Sequence, residues 1–171
     1  MNKRVKQFLI FIGFLLAQAF LSRFIDFGPI LFIAIYPLFI VTLSSDTSID
    51  KIMLWAFAIG ICTDLLSGQI IGLNSGATLV MSIFQPRMLR MVYRRGDSDN
   101  HIRPGLRELG LAKFSGYMLP LLAIHHIFYF LIEEFGFRFF LENAPRMAVS
   151  FGANVLLIYL IEYGIFYKIR R

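Results

Sequence analysis

The sequence predicts an all-α membrane protein with six transmembrane helices and both termini in the cytoplasm. Apolar residues make up 57% of the 171 residues and the mean hydropathy is +0.68, more apolar than an ordinary soluble domain. These residues form six stretches separated by polar blocks, and the basic residues concentrate in alternate blocks. A soluble bundle of this length would have too few polar residues to cover six apolar helices.

Transmembrane spans are predicted where the apolar stretches lie, at about residues 5–21, 29–43, 52–66, 70–84, 114–132 and 147–166. A spanning helix needs about 20 apolar residues. The second, third and fourth stretches are each only about 15 residues long, so we expect them to be short, bent or partly re-entrant. We interpret residues 1–171 as one membrane domain, with a cytoplasmic loop at 87–113 and an outer amphipathic segment at 133–146.

Lys and Arg residues define the predicted orientation, because cytoplasmic flanks carry the excess of positive charge. With the N-terminus inside, all but three of the 17 Lys and Arg residues lie in cytoplasmic segments; the exceptions are Arg23, Arg138 and Arg146. An odd number of spans would move the basic C-terminus outside, so the pattern favours an even number. Since topology and binding to anionic membrane lipids explain the net charge of +6, we expect no nucleic-acid partner.

Four arginines follow the fourth stretch: Arg87, Arg90, Arg94 and Arg95. They are either the ordinary positive flank of a span or part of a helix that continues past Pro86 and binds lipid head groups. The first stretch also has two interpretations, because Ala17-Gln18-Ala19 resembles a signal-peptide cleavage site. We expect an uncleaved helix there, since the apolar run continues beyond this site.

The third stretch contains a carboxylate inside a predicted span. Ala56, Gly60 and Asp64 are spaced four residues apart, so they form one narrow helix face of small residues that ends in the carboxylate. Small residues allow two helices to approach closely. The fourth stretch offers a GxxxG pair, Gly72 and Gly76, and we expect this pair to be the matching surface.

An outer turn through Ser67-Gly68-Gln69 would join these two stretches. Asp64 lies near the carboxyl end of its helix, where the macrodipole disfavours an anion, so it needs a partner. We expect Ser67, Gln69 or Asn74 to supply a hydrogen bond. Two interpretations stay open: Asp64 clamps the hairpin, or it handles an ion or ligand.

Polar residues also occur in the fifth and sixth stretches. His125 and His126 point about 100° apart on a helix, so they cannot easily bind one metal ion together. We interpret them as interhelical hydrogen-bonding residues, with a proton relay to Glu133 as the alternative. Asn154 and Glu162 belong to a broken polar face of the sixth stretch, which we interpret as a helix-packing surface. We expect Glu162 either to extend its carboxylate to the membrane interface or to pair with a loop arginine.

Four phenylalanines mark the outer segment: Phe135, Phe137, Phe139 and Phe140. They are either an aromatic belt at the membrane interface or a docking surface for an apolar segment of a partner. The sequence has no GxSxG, HExxH or phosphate-binding glycine motif. We therefore expect no catalytic, cofactor or metal site.

Several motifs resemble those of one bacterial family. Residues 60–68, GICTDLLSG, followed by Gly72 and Asn74, resemble the G-x3-D-hydrophobic-x-S-x3-5-G signature of the MreD family of rod-shape-determining inner-membrane proteins. Residues 84–87, FQPR, and residues 125–137, HHIFYFLIEEFGF, are similar to further motifs of that family. The resemblance covers nearly the whole chain, although the loop SSDTSIDK lacks the strong positive charge of many members.

This resemblance implies a non-catalytic membrane subunit of the cell elongation (rod) complex, which maintains cell shape and organises lateral peptidoglycan synthesis. The implied partner is an MreC-like protein, within an assembly that includes MreB, RodA and a penicillin-binding transpeptidase. The resemblance also implies a fold similar to the membrane-embedded substrate-binding subunits of vitamin transporters, although fold alone does not carry function. The main alternative is therefore a solute-binding membrane protein in which Asp64, Asn74, His125 and Asn154 line an outward-facing pocket.

Overall fold

The computed structural model describes residues 3–24, 31–68, 70–93, 103–134 and 141–167. The regular structure within these residues consists of α1 Lys3–Phe24, α2 Pro37–Val41, α3 Ile49–Ser67, α4 Leu73–Val92, α5 Leu106–Glu133 and α6 Ala144–Ile161. A π-helical turn, Glu162–Tyr167, continues α6. The prediction of an all-α protein is confirmed for this part of the chain.

Within the described residues, three helical segments are long and apolar enough to cross a membrane: Val5–Phe24, Leu106–Glu133 and Ala144–Phe166. They support the prediction of a membrane-embedded protein. The helices α3 and α4 have similar lengths of 19 and 20 residues, but they carry more polar side chains. Several of these polar side chains are buried inside the bundle.

The helix directions place the basic residues at one end of the bundle. The helices α1 and α3 run parallel, since Ser22 and Ser67 near their carboxyl ends are 3.3 Å apart. The helix α4 is antiparallel to both α3 and α5. The helix α6 is antiparallel to α5. The amino ends of α1, α3 and α5 therefore meet the carboxyl ends of α4 and α6, at what we call the basic end. The described basic side chains at this end are Lys6, Lys51, Arg87, Arg90, Arg103, Arg107 and Lys113. The opposite end has Arg23 and Arg146.

The predicted span at 29–43 is not a continuous helix. Residues 31–35 are extended, and the five-residue helix α2 follows them. We call residues 31–41 the central segment, because it passes through the interior beside α5 and all but residues 31 and 33 are buried. The Phe32 ring centre lies 3.7 Å from that of Tyr129, and the Val41 carbonyl accepts a hydrogen bond from Tyr117 Oη at 2.7 Å. The segment thus runs from the opposite end toward the basic end.

Pro37 explains why this apolar stretch departs from a helix. Proline has no N–H, so it could not donate to the carbonyl of Ile33 as a helix through this stretch would require. It is tolerated in the first turn of a helix, which is its position in α2. The apolar composition of the stretch explains its burial, and the proline limits how much of it is helical.

The other boundaries differ from the predicted ones mainly at helix ends. The helix α4 continues past Pro86 to Val92, and α5 begins at Leu106 with a break at Gly110, whose φ is +73°. The predicted loop 87–113 is therefore helical at both ends. Residues 94–102 and 135–140 lie outside the described residues, and with them Arg94, Arg95 and the four phenylalanines of the outer segment.

The contact between α3 and α4 uses Gly60 but not the predicted GxxxG pair. A Cβ atom at Gly60 would overlap the backbone of Ser75, so these helices are in direct backbone contact. A Cβ atom at Gly76 would instead lie 3.3 Å from Ile132 Cδ1 on α5. Gly72 precedes α4 and has a φ of +104°, a left-handed conformation that favours glycine. The predicted pairing was wrong because Gly76 faces α5 and a Cβ atom at Gly72 would meet open space, so neither glycine provides the close contact with α3.

We expect Gly60→Ala to destabilise the protein, although alanine has the higher helix propensity. The added methyl group must separate α3 from α4, and overpacking of this kind costs about 1–3 kcal/mol. Gly152→Ala is the matched control, because Gly152 lies in α6 with open space around its Cβ position. Thermal unfolding in detergent would compare the two variants. Equal melting temperatures would contradict the close contact at Gly60.

Candidate functional site

The extended part of the central segment has backbone groups that no helix pairs internally. In an apolar interior each unpaired N–H or C=O costs several kcal/mol, so such backbone persists only where other groups satisfy it. Gln18 of α1 supplies one set of partners. Its Nε2 donates to the Ile33 carbonyl at 2.9 Å and its Oε1 accepts from the Ile35 N–H at 2.8 Å. The carboxamide thus pairs with the segment as a neighbouring β-strand would.

A second carboxamide, Asn154 of α6, pairs with the other edge of the segment. Its Oδ1 accepts from the Ala34 N–H at 2.8 Å, and its Nδ2 donates to the Phe32 carbonyl at 2.8 Å. Ser150, one helical turn earlier, accepts from the Phe32 N–H at 2.9 Å. Gln18, Ser150 and Asn154 are all buried, so α1 and α6 hold the central segment between them through hydrogen bonds.

Asp64 is fully buried and caps the amino end of α4. Its carboxylate accepts hydrogen bonds from the N–H groups of Gly72, Asn74 and Ser75 at 3.0, 2.9 and 3.3 Å, and from Asn74 Nδ2 at 2.8 Å. These N–H groups have no partner within their own helix, and the positive end of the helix macrodipole favours the anion. Of the predicted partners, Asn74 is the one that Asp64 contacts. Ser67 contacts Ser22 instead, and Gln69 lies outside the described residues.

A chain of hydrogen bonds leads from Asp64 to the centre of the bundle. The donor and acceptor in each of these bonds follow from which atoms carry a proton. Asn74 Nδ2 donates to the carboxylate, so Asn74 Oδ1 is the atom that faces Tyr36 Oη at 2.7 Å. Tyr36 must therefore donate its single proton to Asn74. His125 Nε2 lies 2.8 Å from the same hydroxyl, so this nitrogen carries the proton that Tyr36 Oη accepts. Asp64 thereby sets the tautomer of His125.

His126 has the opposite tautomer. Its Nδ1 lies 2.9 Å from the Leu122 carbonyl, which only accepts, so Nδ1 carries the proton. Its Nε2 accepts the second proton of Asn154 Nδ2 at 2.9 Å. The two adjacent histidines thus contact different helices: His125 is linked through Tyr36 to α4, and His126 is linked directly to α6. The two rings have no hydrogen-bond partner in common, in agreement with their different predicted directions on the helix.

Glu162 has a comparable position at the basic end. It is 1% exposed, pairs with Arg103 at 2.5 Å and accepts from the Leu106 N–H at 3.1 Å, at the start of α5. The Arg103 guanidinium also lies 3.8 Å from the ring centre of Phe166. Of the two arrangements expected for Glu162, pairing with a loop arginine is the one observed. This pair joins the end of α6 to the loop before α5.

The remaining predicted residues lie away from this network. Gly68 ends α3 with a φ of +64°, the left-handed conformation common at helix carboxyl ends. Arg87 and Arg90 are exposed on the last turns of α4, and Glu133 pairs with Arg146 at 2.9 Å rather than with a histidine.

Three network residues were not predicted from the sequence: Gln18, Tyr36 and Tyr117. Tyr117 donates to the last carbonyl of α2 and accepts from Gln85 Nε2 at 2.9 Å. Gln18 is an isolated amide in an otherwise apolar part of α1, and its partners are backbone atoms. The one available signal was the polar character of Gln18 within a predicted span.

The network leaves little opportunity for the buried residues to bind a solute. Asp64, Asn74, His125 and Asn154, which the solute-binding alternative places in a pocket, are each 0% exposed and bonded to protein groups. Among the described residues, no group of three or more His, Cys, Asp or Glu side chains could hold a metal ion. The geometry favours an architectural role for the four polar residues.

Scans of the chain against protein-family models, curated proteins and solved structures found no match. The sequence motifs and the geometry of the network are therefore the basis for a proposed function.

We expect Asp64→Asn to insert normally but to lower the stability of the folded chain. An amide group would replace one carboxylate oxygen and face the N–H donors of α4, and hydrogen bonds to a charged acceptor contribute about 1.5–3 kcal/mol. Asp50→Asn, in the exposed first turn of α3, is the control. Thermal unfolding in detergent measures both. An unchanged melting temperature for Asp64→Asn would show that the cap is not needed.

We also expect hydrogen exchange to separate the two edges of the central segment. Gln18→Leu removes the acceptor of the Ile35 N–H, whereas Ser150→Ala removes the acceptor of the Phe32 N–H. Each variant should raise exchange at its own amide and leave the other protected, since the two bonds are independent. Exchange at single-residue resolution tests this, and identical patterns in both variants would contradict the assigned pairing.

Proposed function

We propose that this chain is a non-catalytic subunit of the bacterial rod complex, similar to MreD, which resides in the inner membrane and binds an MreC-like partner. In that role it helps to organise lateral peptidoglycan synthesis by the wider complex, with MreB, RodA and a penicillin-binding transpeptidase. The motifs that resemble the family are the starting point. The contacts made by the motif residues are the observation that carries the proposal.

Those contacts are structural throughout. Gly60 lies directly against Ser75, Asp64 caps α4, and Asn74 passes the hydrogen-bonded chain from Asp64 to the interior. The motif therefore joins two helices and fixes the central segment. A motif with this purpose suits a scaffold, whose function depends on presenting a fixed surface to partners. It suits an enzyme less well, because its carboxylate is occupied by four donors.

We further propose that the chain crosses the membrane six times with both ends in the cytoplasm. In this topology the central segment is the second crossing, and its non-helical backbone is tolerated because it is surrounded by protein. The concentration of Lys and Arg at the basic end supports a cytoplasmic location for that end.

The partner surface is proposed to lie on the outside of the bundle. The polar residues of the interior are bonded to one another and to the central segment, so they offer no contacts to a partner. The outer segment with Phe135, Phe137, Phe139 and Phe140 lies outside the described residues and remains the candidate for contact with the MreC-like protein.

Purification of the tagged chain from native membranes tests the proposed function. We expect an MreC-like protein in stoichiometric amount, and a photo-crosslinking residue at Phe137 should capture it. The same residue at Leu54, which is exposed on α3, is the control and should capture lipid alone. A retained small solute without any partner protein would favour the solute-binding alternative.

The orientation is tested separately by labelling with a maleimide that cannot cross the membrane. In a background with Cys62→Ala, which removes the single cysteine, a new cysteine is placed at Ser48 of the basic end or at Ile71 of the opposite end. We expect external reagent to label only the position-71 variant in intact spheroplasts. Labelling at position 48 from outside would reverse the proposed orientation.

A further inference from the structure

A pocket at the basic end borders the buried network at Gln85. It has a volume of about 230 Å³ and lies between Ser45 and Thr47 of the α2–α3 loop and Gln85, Leu89 and Arg90 of α4. A water molecule takes up about 30 Å³ in the liquid, so a larger polar group fits here. The residues that line the pocket combine an apolar wall, hydroxyl groups and one cation.

Gln85 presents an unpaired acceptor to this pocket. Its side chain is only 1% exposed, and its Nε2 donates to Tyr117 Oη at 2.9 Å. Tyr117 uses its own proton for the Val41 carbonyl, which fixes the orientation of the Gln85 amide. Gln85 Oε1 has no hydrogen-bond partner among the described residues. Because buried polar atoms are nearly always paired, the pocket favours a ligand that brings an O–H or N–H donor.

Arg90 supplies the complementary charge at the rim. Its Nε donates to the Pro86 carbonyl at 3.2 Å, which holds the side chain along α4. The terminal nitrogens of the guanidinium are then available to an anion, and their planar fork suits a phosphate. The hydroxyl groups of Ser45 and Thr47 line the facing wall. The pocket therefore matches a molecule with a phosphate at one position and a hydroxyl group deeper inside.

We propose that this pocket binds a phosphate ester with free hydroxyl groups, with its phosphate at Arg90 and a hydroxyl donating to Gln85 Oε1. The head group of phosphatidylglycerol and soluble glycerol phosphate share this chemistry. The basic end is where anionic head groups would collect if that end faces the cytoplasm. The proposal is independent of the rod complex, because it does not concern the partner surface.

Native mass spectrometry of the full chain tests the proposal. Delipidated protein in detergent is titrated with phosphatidylglycerol, phosphatidic acid and phosphatidylethanolamine that carry the same acyl chains. We expect phosphatidylglycerol to bind best, because the other two lack either the hydroxylated head group or the net negative charge. Glycerol 1-phosphate is added in a separate arm: displacement of the lipid assigns the pocket to a soluble ligand, and no displacement assigns it to the lipid.

Two substitutions in the pocket and one control outside it locate the binding. Arg90→Gln should weaken phosphatidylglycerol binding about fivefold, the factor for one basic residue at an anionic surface. Arg87→Gln removes the same charge from the same helix end outside the pocket, and should weaken binding less. Gln85→Met should reduce the preference for phosphatidylglycerol over phosphatidic acid by about threefold or more.

The lipid series on the unaltered chain decides the outcome even if Gln85→Met does not fold. Equal binding of the three lipids would overturn the proposal, since binding would then not depend on a hydroxylated, anionic head group. Equal losses from Arg87→Gln and Arg90→Gln would overturn it too, because binding would then reflect general surface charge.

Discussion

An extended backbone buried in an apolar interior must find hydrogen-bond partners outside itself, and much of this bundle is arranged around that requirement. The central segment obtains its partners from both sides, through Gln18 on α1 and through Ser150 and Asn154 on α6. On the side of α5, Tyr117 pairs with the last carbonyl of α2, and Tyr36 connects to His125. Removing the segment would leave the carboxamide oxygens of Gln18 and Asn154 without their donors, so the segment and the surrounding helices depend on each other.

Two buried carboxylates each connect one helix to the start of another. Asp64 and Glu162 each bind N–H groups at the start of a helix other than their own, Asp64 at α4 and Glu162 at α5. Each carboxylate lies near the carboxyl end of its helical segment, where the macrodipole is unfavourable, and gains the favourable amino end of another helix. The arrangement places one such joint at each end of the bundle. It fixes the helix ends without requiring long polar loops.

The sequence was sufficient to predict the helical class and to include Asn74 among three expected partners of Asp64, and the contact with Asn74 is observed. That contact is local, since only ten residues separate the partners, and a hairpin between two short spans has few alternatives. The second span was mispredicted because apolar composition indicates burial but does not distinguish a helix from an extended segment. Pro37 was the signal against a continuous helix. The glycine pair was misassigned because its spacing does not reveal which neighbouring helix it faces, and Gly76 lies against Ile132 of α5.

Gln18 could not have been assigned a role from the sequence, because its partners are main-chain atoms that carry no residue-specific pattern. The same holds for Gln85, because its hydrogen bond to Tyr117 Oη depends on how α4 and α5 are aligned. His125 and His126 hydrogen-bond to different elements, in line with their interpretation as interhelical hydrogen-bonding residues. Their opposite tautomers, however, follow only from knowing which neighbours accept and which donate.

The separation in sequence between the central segment and α6 has a consequence for biogenesis. Phe32 and Ser150 lie 118 residues apart, and a ribosome adding about 5–20 residues per second needs roughly 6 to 24 s to synthesise that distance. During this interval the segment has left the ribosome without Ser150 and Asn154, the partners of one of its two edges. It must wait in the insertion machinery or at a hydrated interface, and it reaches its final position only after the last helix has been made. An unfinished chain is therefore marked by the unpaired peptide groups of Phe32 and Ala34, which quality control in the membrane could recognise.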